Sequence, residues 1–220
     1  MPIALALLLG ATAVACSKGQ QEKKNPYVAA SEVCDGVFQG ASARAVESTM
    51  GSSSFSSMNA GIRDRVADAL KEGFSSGRSW TYSEEFCELN PKGTGGIGHA
   101  ARIRFSIYAP RDIGDGRLAA GQRFYAMGKE AKSGPIGAQL YFECVSPQLK
   151  GSSASAARIL GSLKLERDLR RDSVHHRQAN LTIIHAVSLE MAKNLECAND
   201  GGLPSSPSFK EIPPAEEPPH

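Results

Sequence analysis

Four widely spaced cysteines constrain this chain more than any other feature. Cys34, Cys87, Cys144 and Cys197 lie too far apart for C-x-x-C redox chemistry or a zinc knuckle. A fifth, Cys16, follows the apolar run Ile3 to Ala15. An odd number of thiols in an exported chain leaves one without a partner, and setting Cys16 apart leaves four that can pair where the compartment is oxidising. Four cysteines allow three connectivities. Cys34 and Cys87 are 53 positions apart, as are Cys144 and Cys197, and this equal spacing favours those two pairs while leaving the others open.

The opening MPIALALLLGATAVAC gives Cys16 its separate role. The apolar run is too short to span a bilayer but suits the h-region of an export signal, and the composition turns polar at Ser17-Lys18-Gly19. Small residues before a cysteine suit a lipoprotein signal peptidase, after which the Cys16 thiol carries a diacylglyceryl group. Ala13-Val14-Ala15 also fits ordinary signal peptidase, which releases a secreted protein. No Lys or Arg precedes the run, and Ala13 stands where lipoprotein signals more often have Leu. The expectation is a signal peptide over 1–15, a lipid-anchored polar tether over 16–30, one domain over 31–202 and a disordered tail over 203–220, where six prolines fall.

Within the domain, Ala41 to Met50 has helical composition, and Ser52 to Ser57 reads as a serine-rich connection. Asn59 is placed to cap an amphipathic helix with Ile62, Val66, Ala69, Leu70 and Phe74 on one face. A second strong helix runs from Ala179 to Cys197, with Leu181, Ile184, Ser188, Met191 and Leu195 at three- and four-residue steps. Period-two alternation is clearest at Ala101 to Tyr108, and further strands are expected near 80–89, 123–127, 138–145 and 157–166. Residues 128–137 and 168–177 read as loops. The fold expected is α+β: a small antiparallel sheet packed against two amphipathic helices, with two disulfides.

Chemical motifs are weak. Gly93-Thr94-Gly95-Gly96-Ile97-Gly98 spells G-x-G-x-x-G but precedes a strand, so it reads as a turn and no dinucleotide cofactor is expected. His175 and His176 fall in a charged segment beside His99 and His220 elsewhere, with no H-E-x-x-H; His185 lies on an apolar helix face and reads as a hydrogen-bonded core residue. There is no G-x-S-x-G, and Glu84-Glu85 face opposite sides of a strand. No catalytic, metal or cofactor set is therefore expected. A net charge of +2 gives no electrostatic case for nucleic acid. Arg158 to Arg177 carries six cations, at 158, 164, 167, 170, 171 and 177, and is the segment suited to anionic headgroups or a wall polymer.

SEVCDGVFQG, AQLYFECVSP and the ending ANLTIIHAVSLEMAKNLECANDGGLP resemble actinobacterial secreted lipoproteins of unassigned function, over roughly 30–204. The resemblance implies an envelope location and two disulfides, and supplies no activity. The functional expectation is a surface lipoprotein on the outer face of the membrane that binds or scaffolds. Its partners are then the membrane, through lipid on Cys16, and an envelope protein or wall polymer. The alternative is a secreted envelope hydrolase whose catalytic residues are dispersed.

Overall fold

In the computed structural model, residues 26–57, 62–93, 100–114, 116–166 and 172–213 are described. Their centre is a seven-stranded antiparallel sheet, not a small one. Its strands are β3 (Glu84–Leu89), β4 (Ala101–Ile107), β5 (Arg123–Tyr125), β6 (Glu130–Gly134), β7 (Gly137–Cys144), β8 (Ala157–Leu165) and β9 (Glu211–Ile212), in the order β3-β4-β8-β7-β6-β5-β9. A separate two-stranded sheet joins β1 (Tyr27–Val28) to β2 (Phe55–Ser56). Among the described residues there are three α-helices: α1 (Ala41–Met50), α2 (Ile62–Ser75) and α3 (Val174–Asn194).

The expected small sheet on two helices is thus corrected to a sheet-rich fold with three helices. The missed strands explain the difference. β6 is Glu-Ala-Lys-Ser-Gly, with no apolar alternation, and it borders Pro135, so its sequence reads as loop. It is a strand because both neighbours offer ladder partners, Gly134 pairing with Gly137 and Arg123 with Ser133. β9 lies in the proline-rich tail, and the serine-rich connection contains β2.

One face of the sheet builds the core. Ile103, Leu163 and Ala138 form one transverse row; Phe105, Gly161, Leu140 and Ala131 form the next. Helix α3 lies on β6, β7 and β8 and also packs on α1, while α2 covers β3 and β4. Burial of Ile183, Ile184, Val187, Met191 and Ala192 around α3 is the mark of a helix enclosed between layers. Two glycines permit the close approaches. A Cβ on Gly161 would lie 2.6 Å from Ser188 Oγ of α3 and 3.0 Å from the Phe105 ring. At Gly137, φ is +140° and a Cβ would fall 2.0 Å from the Leu163 carbonyl oxygen, so only glycine fits where β7 starts against β8.

The chain is stapled twice, Cys34 to Cys87 and Cys144 to Cys197, with Cα separations of 5.5 and 5.0 Å. The first fastens the turn Cys34–Gly36 to β3, and the second fastens the end of β7 to the residue just past α3. Packed structure includes part of the expected tether, where Ala30 is fully buried. It also continues past Gly202: Leu203 is buried, Pro204 meets His185, and β9 pairs with β5. Residues 203–213, expected to be disordered, are therefore a strap along the sheet edge. Helix α3 begins at Val174 rather than Ala179, because the Ser173 hydroxyl accepts from the His176 N–H and caps it.

Candidate functional site

Strand alternation puts the polar half of each central strand on the face away from the helices. Arg102 on β4 stands opposite Lys164 on β8, and Lys164 opposite Gly137 on β7. One rung further, Arg104, Ser162 and Gln139 line up across the same three strands, followed by Lys132 of β6. Arg102, Arg104, Gln139, Ser162, Lys164 and Ile136 line an open groove of about 660 Å³, within the usual size range of ligand sites. Gln122 and Ser83 border it, and Glu166 is its carboxylate.

The two arginines differ in their surroundings. Arg102 is claimed by three glutamates, with contacts of 2.7 Å to Glu166, 3.6 Å to Glu88 and 3.9 Å to Glu85. Among the described residues, Arg104 makes one ion-pair contact, 3.6 Å to Glu85. Lys164 is exposed and makes no ion pair among the described residues. Arg102 facing Lys164 is a like-charge pair, an arrangement that costs stability in a sheet unless something anionic lies between.

Beyond this groove the same face is closed. Gly114 N–H donates to the Glu130 carboxylate at 3.0 Å, holding the segment after β4 over the end of β6. Beneath it Lys132 is buried, 3.0 Å from Glu130, with its ammonium 5.2 Å from the Phe124 ring centre and 5.9 Å from that of Tyr141. Tyr108 stacks edge-on to Tyr141 at 5.1 Å. Burial, reinforced by Glu143, pushes the Tyr108 hydroxyl up to about 12, so it stays protonated at neutral pH and packs rather than reacts.

The residues singled out from sequence fall elsewhere. Cys16, Asn59, His99, His220 and the run 94–98 lie outside the described residues, as do Arg167, Arg170 and Arg171. Cys34, Cys87, Cys144 and Cys197 form the two disulfides. His175 and His176 lie on the first turn of α3 rather than in a loop, and among the described residues no group of three His, Cys, Asp or Glu could hold a metal. His175 Nε2 meets Ser48 Oγ at 3.3 Å on an exposed surface, with no carboxylate on the ring among the described residues, so the third member of a triad is missing there. Arg177 does not join a basic patch. It is buried, paired with Asp172, donates to Tyr125 Oη at 3.1 Å and lies 3.6 Å from Glu211. Glu84 opens β3 and Glu85 serves the arginines.

His185 is enclosed, 3% exposed, and its Nε2–H donates to the Pro204 carbonyl at 2.8 Å. Burial holds its pKa below the ordinary 6.5, although the Pro204 bond opposes the shift. A depressed histidine pKa stabilises the fold fully above 6.5 and less as pH falls below it, because the unfolded chain takes the proton first. Between pH 7.5 and 5.5 the urea midpoint should fall, with a slope bounded by about 1.4 kcal/mol per pH unit for one proton. His185→Gln, which keeps a donor for Pro204, should remove that part of the slope. An unchanged slope in the variant would assign the pH response to other groups.

No protein-family model, no curated protein and no solved structure matches this chain. Among the described residues no helix is long and apolar enough to cross a membrane. Sequence reasoning did not single out Arg104, Ser162 or Gln139, since each is an ordinary polar position in an alternating strand. Their convergence depends on the β4-β8-β7 strand order.

Proposed function

We propose that this chain is a lipoprotein of the cell envelope, anchored through Cys16 on the outer face of the membrane, and that it binds a ligand or partner without transforming it. One observation carries the binding reading. The polar groove on the sheet face gathers recognition groups, while His185, 3% exposed at the wall of a separate cleft, has its Nε2–H committed to the Pro204 carbonyl, and the Ser48–His175 contact lies exposed. The anchor rests on the apolar run ending at Cys16, on the two disulfides of an oxidising compartment, and on the resemblance to actinobacterial secreted lipoproteins. Attached acyl chains contribute about 0.8 kcal/mol for each buried CH₂, so two or more hold firmly.

Cys16→Ser tests the anchor. The wild-type chain should fractionate with membranes and gain the mass of a diacylglyceryl adduct. The variant should lose both the mass and the membrane association. A wild-type chain found entirely in the medium, beginning at Cys16 with a free thiol, would support ordinary secretion instead.

A further inference from the structure

We infer that the groove on the open sheet face binds an oxyanion, a carboxylate or phosphate group seated between Arg104 and Lys164. The inference rests on the reading of that groove as the binding face and specifies its ligand. Three cations stand on two successive rungs of two neighbouring strands: Arg102 opposite Lys164, and Arg104 one rung away. Diagonal neighbours of this kind are separated by about 7–8 Å at the backbone, so an anion of ordinary size reaches both Arg104 and Lys164. Within the groove lining these cations meet one carboxylate, Glu166, which sits 2.7 Å from Arg102. Glu85 and Glu88 belong to β3, and among the described residues neither is paired with Lys164.

Three carboxylates thereby surround Arg102, and the charge left for a ligand is on Lys164 and the remaining directions of Arg104. A guanidinium has five donors, and one 3.6 Å contact leaves most of them available. Next to this pair, Ser162 and Gln139 continue the Arg104 rung across β8 and β7, adding a hydroxyl and an amide for polar atoms beside the anion. Ile136, 43% exposed at the rim, offers the apolar surface for the remainder of the ligand. A small ligand with an anionic end, polar middle and short apolar portion fits this sequence of groups. The Lys132 site offers no comparable opening, because that lysine is buried against Glu130.

The test uses the full chain, ¹⁵N-labelled, titrated with three probes: triglutamate, tripolyphosphate and the uncharged sugar maltotriose. One anionic probe, or both, should produce saturable shifts at the amides of 102–104, 137–139 and 162–164. Preference between the two tells a carboxylate ligand from a phosphate one. Binding should weaken as salt is raised, and Lys164→Gln or Arg104→Gln should each weaken it about tenfold. Both side chains are partly or fully exposed, so the variants should keep the wild-type spectrum elsewhere. Shifts with maltotriose alone would overturn the anion assignment and leave the groove as the binding face. No groove shift with any probe, or anion binding indifferent to both substitutions, would overturn the assignment too. Membrane association through Cys16 is measured separately and is unaffected by either result.

Discussion

Replacing Cys144 and Cys197 together by alanine is expected to lower the unfolding free energy by about 4 kcal/mol, the chain-entropy value for a loop of this length. The link closes 53 positions of sequence, so in the reduced unfolded chain its ends sample a large volume. Whole domains have net stabilities of about 5–15 kcal/mol, so a large share of the margin is at stake. The native geometry adds to the loss. Cys144 ends β7 in the middle of the sheet and Cys197 follows α3, so this bond fixes the most enclosed helix to the strand on which it packs. Cys34–Cys87 closes the same sequence distance but fastens a turn to the edge strand β3. The two double variants should therefore lose similar entropy-derived stability. The Cys144/Cys197 variant should additionally lose amide protection in α3. Urea unfolding and hydrogen exchange measure the two effects. Equal protection of α3 in both variants would show that packing alone holds the helix. All four sulfurs are buried, so dithiothreitol should reduce neither bond until the protein unfolds.

What the sequence made legible follows from where packing and local pattern agree. β4 alternates cleanly because one of its faces is core and the other is the polar groove. α2 shows its stripe because its other side meets water, with Asp64 and Asp68 exposed. The disulfide pairing favoured by equal spacing is the one present. Failures occur where tertiary contacts override local preference. β6 has the residues of a loop and becomes a strand between β5 and β7. α3 starts earlier than its apolar stripe because Ser173 caps it, and its polar first turn contains the buried Arg177. The groove was illegible for another reason. Its residues come from β4, β7 and β8, and a sequence does not state which strands lie side by side.

Truncation after Gly202 should destabilise the fold by about 3 kcal/mol and make it associate, although the removed segment reads as a disordered tail. The first part comes from a few named contacts. Leu203 is buried, and returning a leucine side chain to water costs about 1.5–3 kcal/mol. His185 loses its acceptor, the Pro204 carbonyl at 2.8 Å, while remaining inside the protein, which adds about 1 kcal/mol. Glu211, which accepts from Tyr125 at 3.2 Å and lies 3.6 Å from Arg177, is half-exposed and contributes little beyond orienting that pair. The second part comes from the sheet edge. β9 pairs with β5 through Phe124–Ile212 and Tyr125–Glu211, and Ala126 N–H donates to the Lys210 carbonyl at 2.9 Å. Without the strap, the outer edge of β5 presents unpaired donors and acceptors beside Phe124, a template for another strand. Sedimentation should show concentration-dependent association of the truncated chain at concentrations where the full chain stays monomeric. Leu203→Ala separates the two effects, because it removes the buried side chain and leaves β9 in place. It should reproduce most of the truncation's loss of about 3 kcal/mol without gaining association. If the truncated chain stays monomeric at the same concentrations, β9 is not what protects the edge, and the twist and shortness of β5 itself must do so.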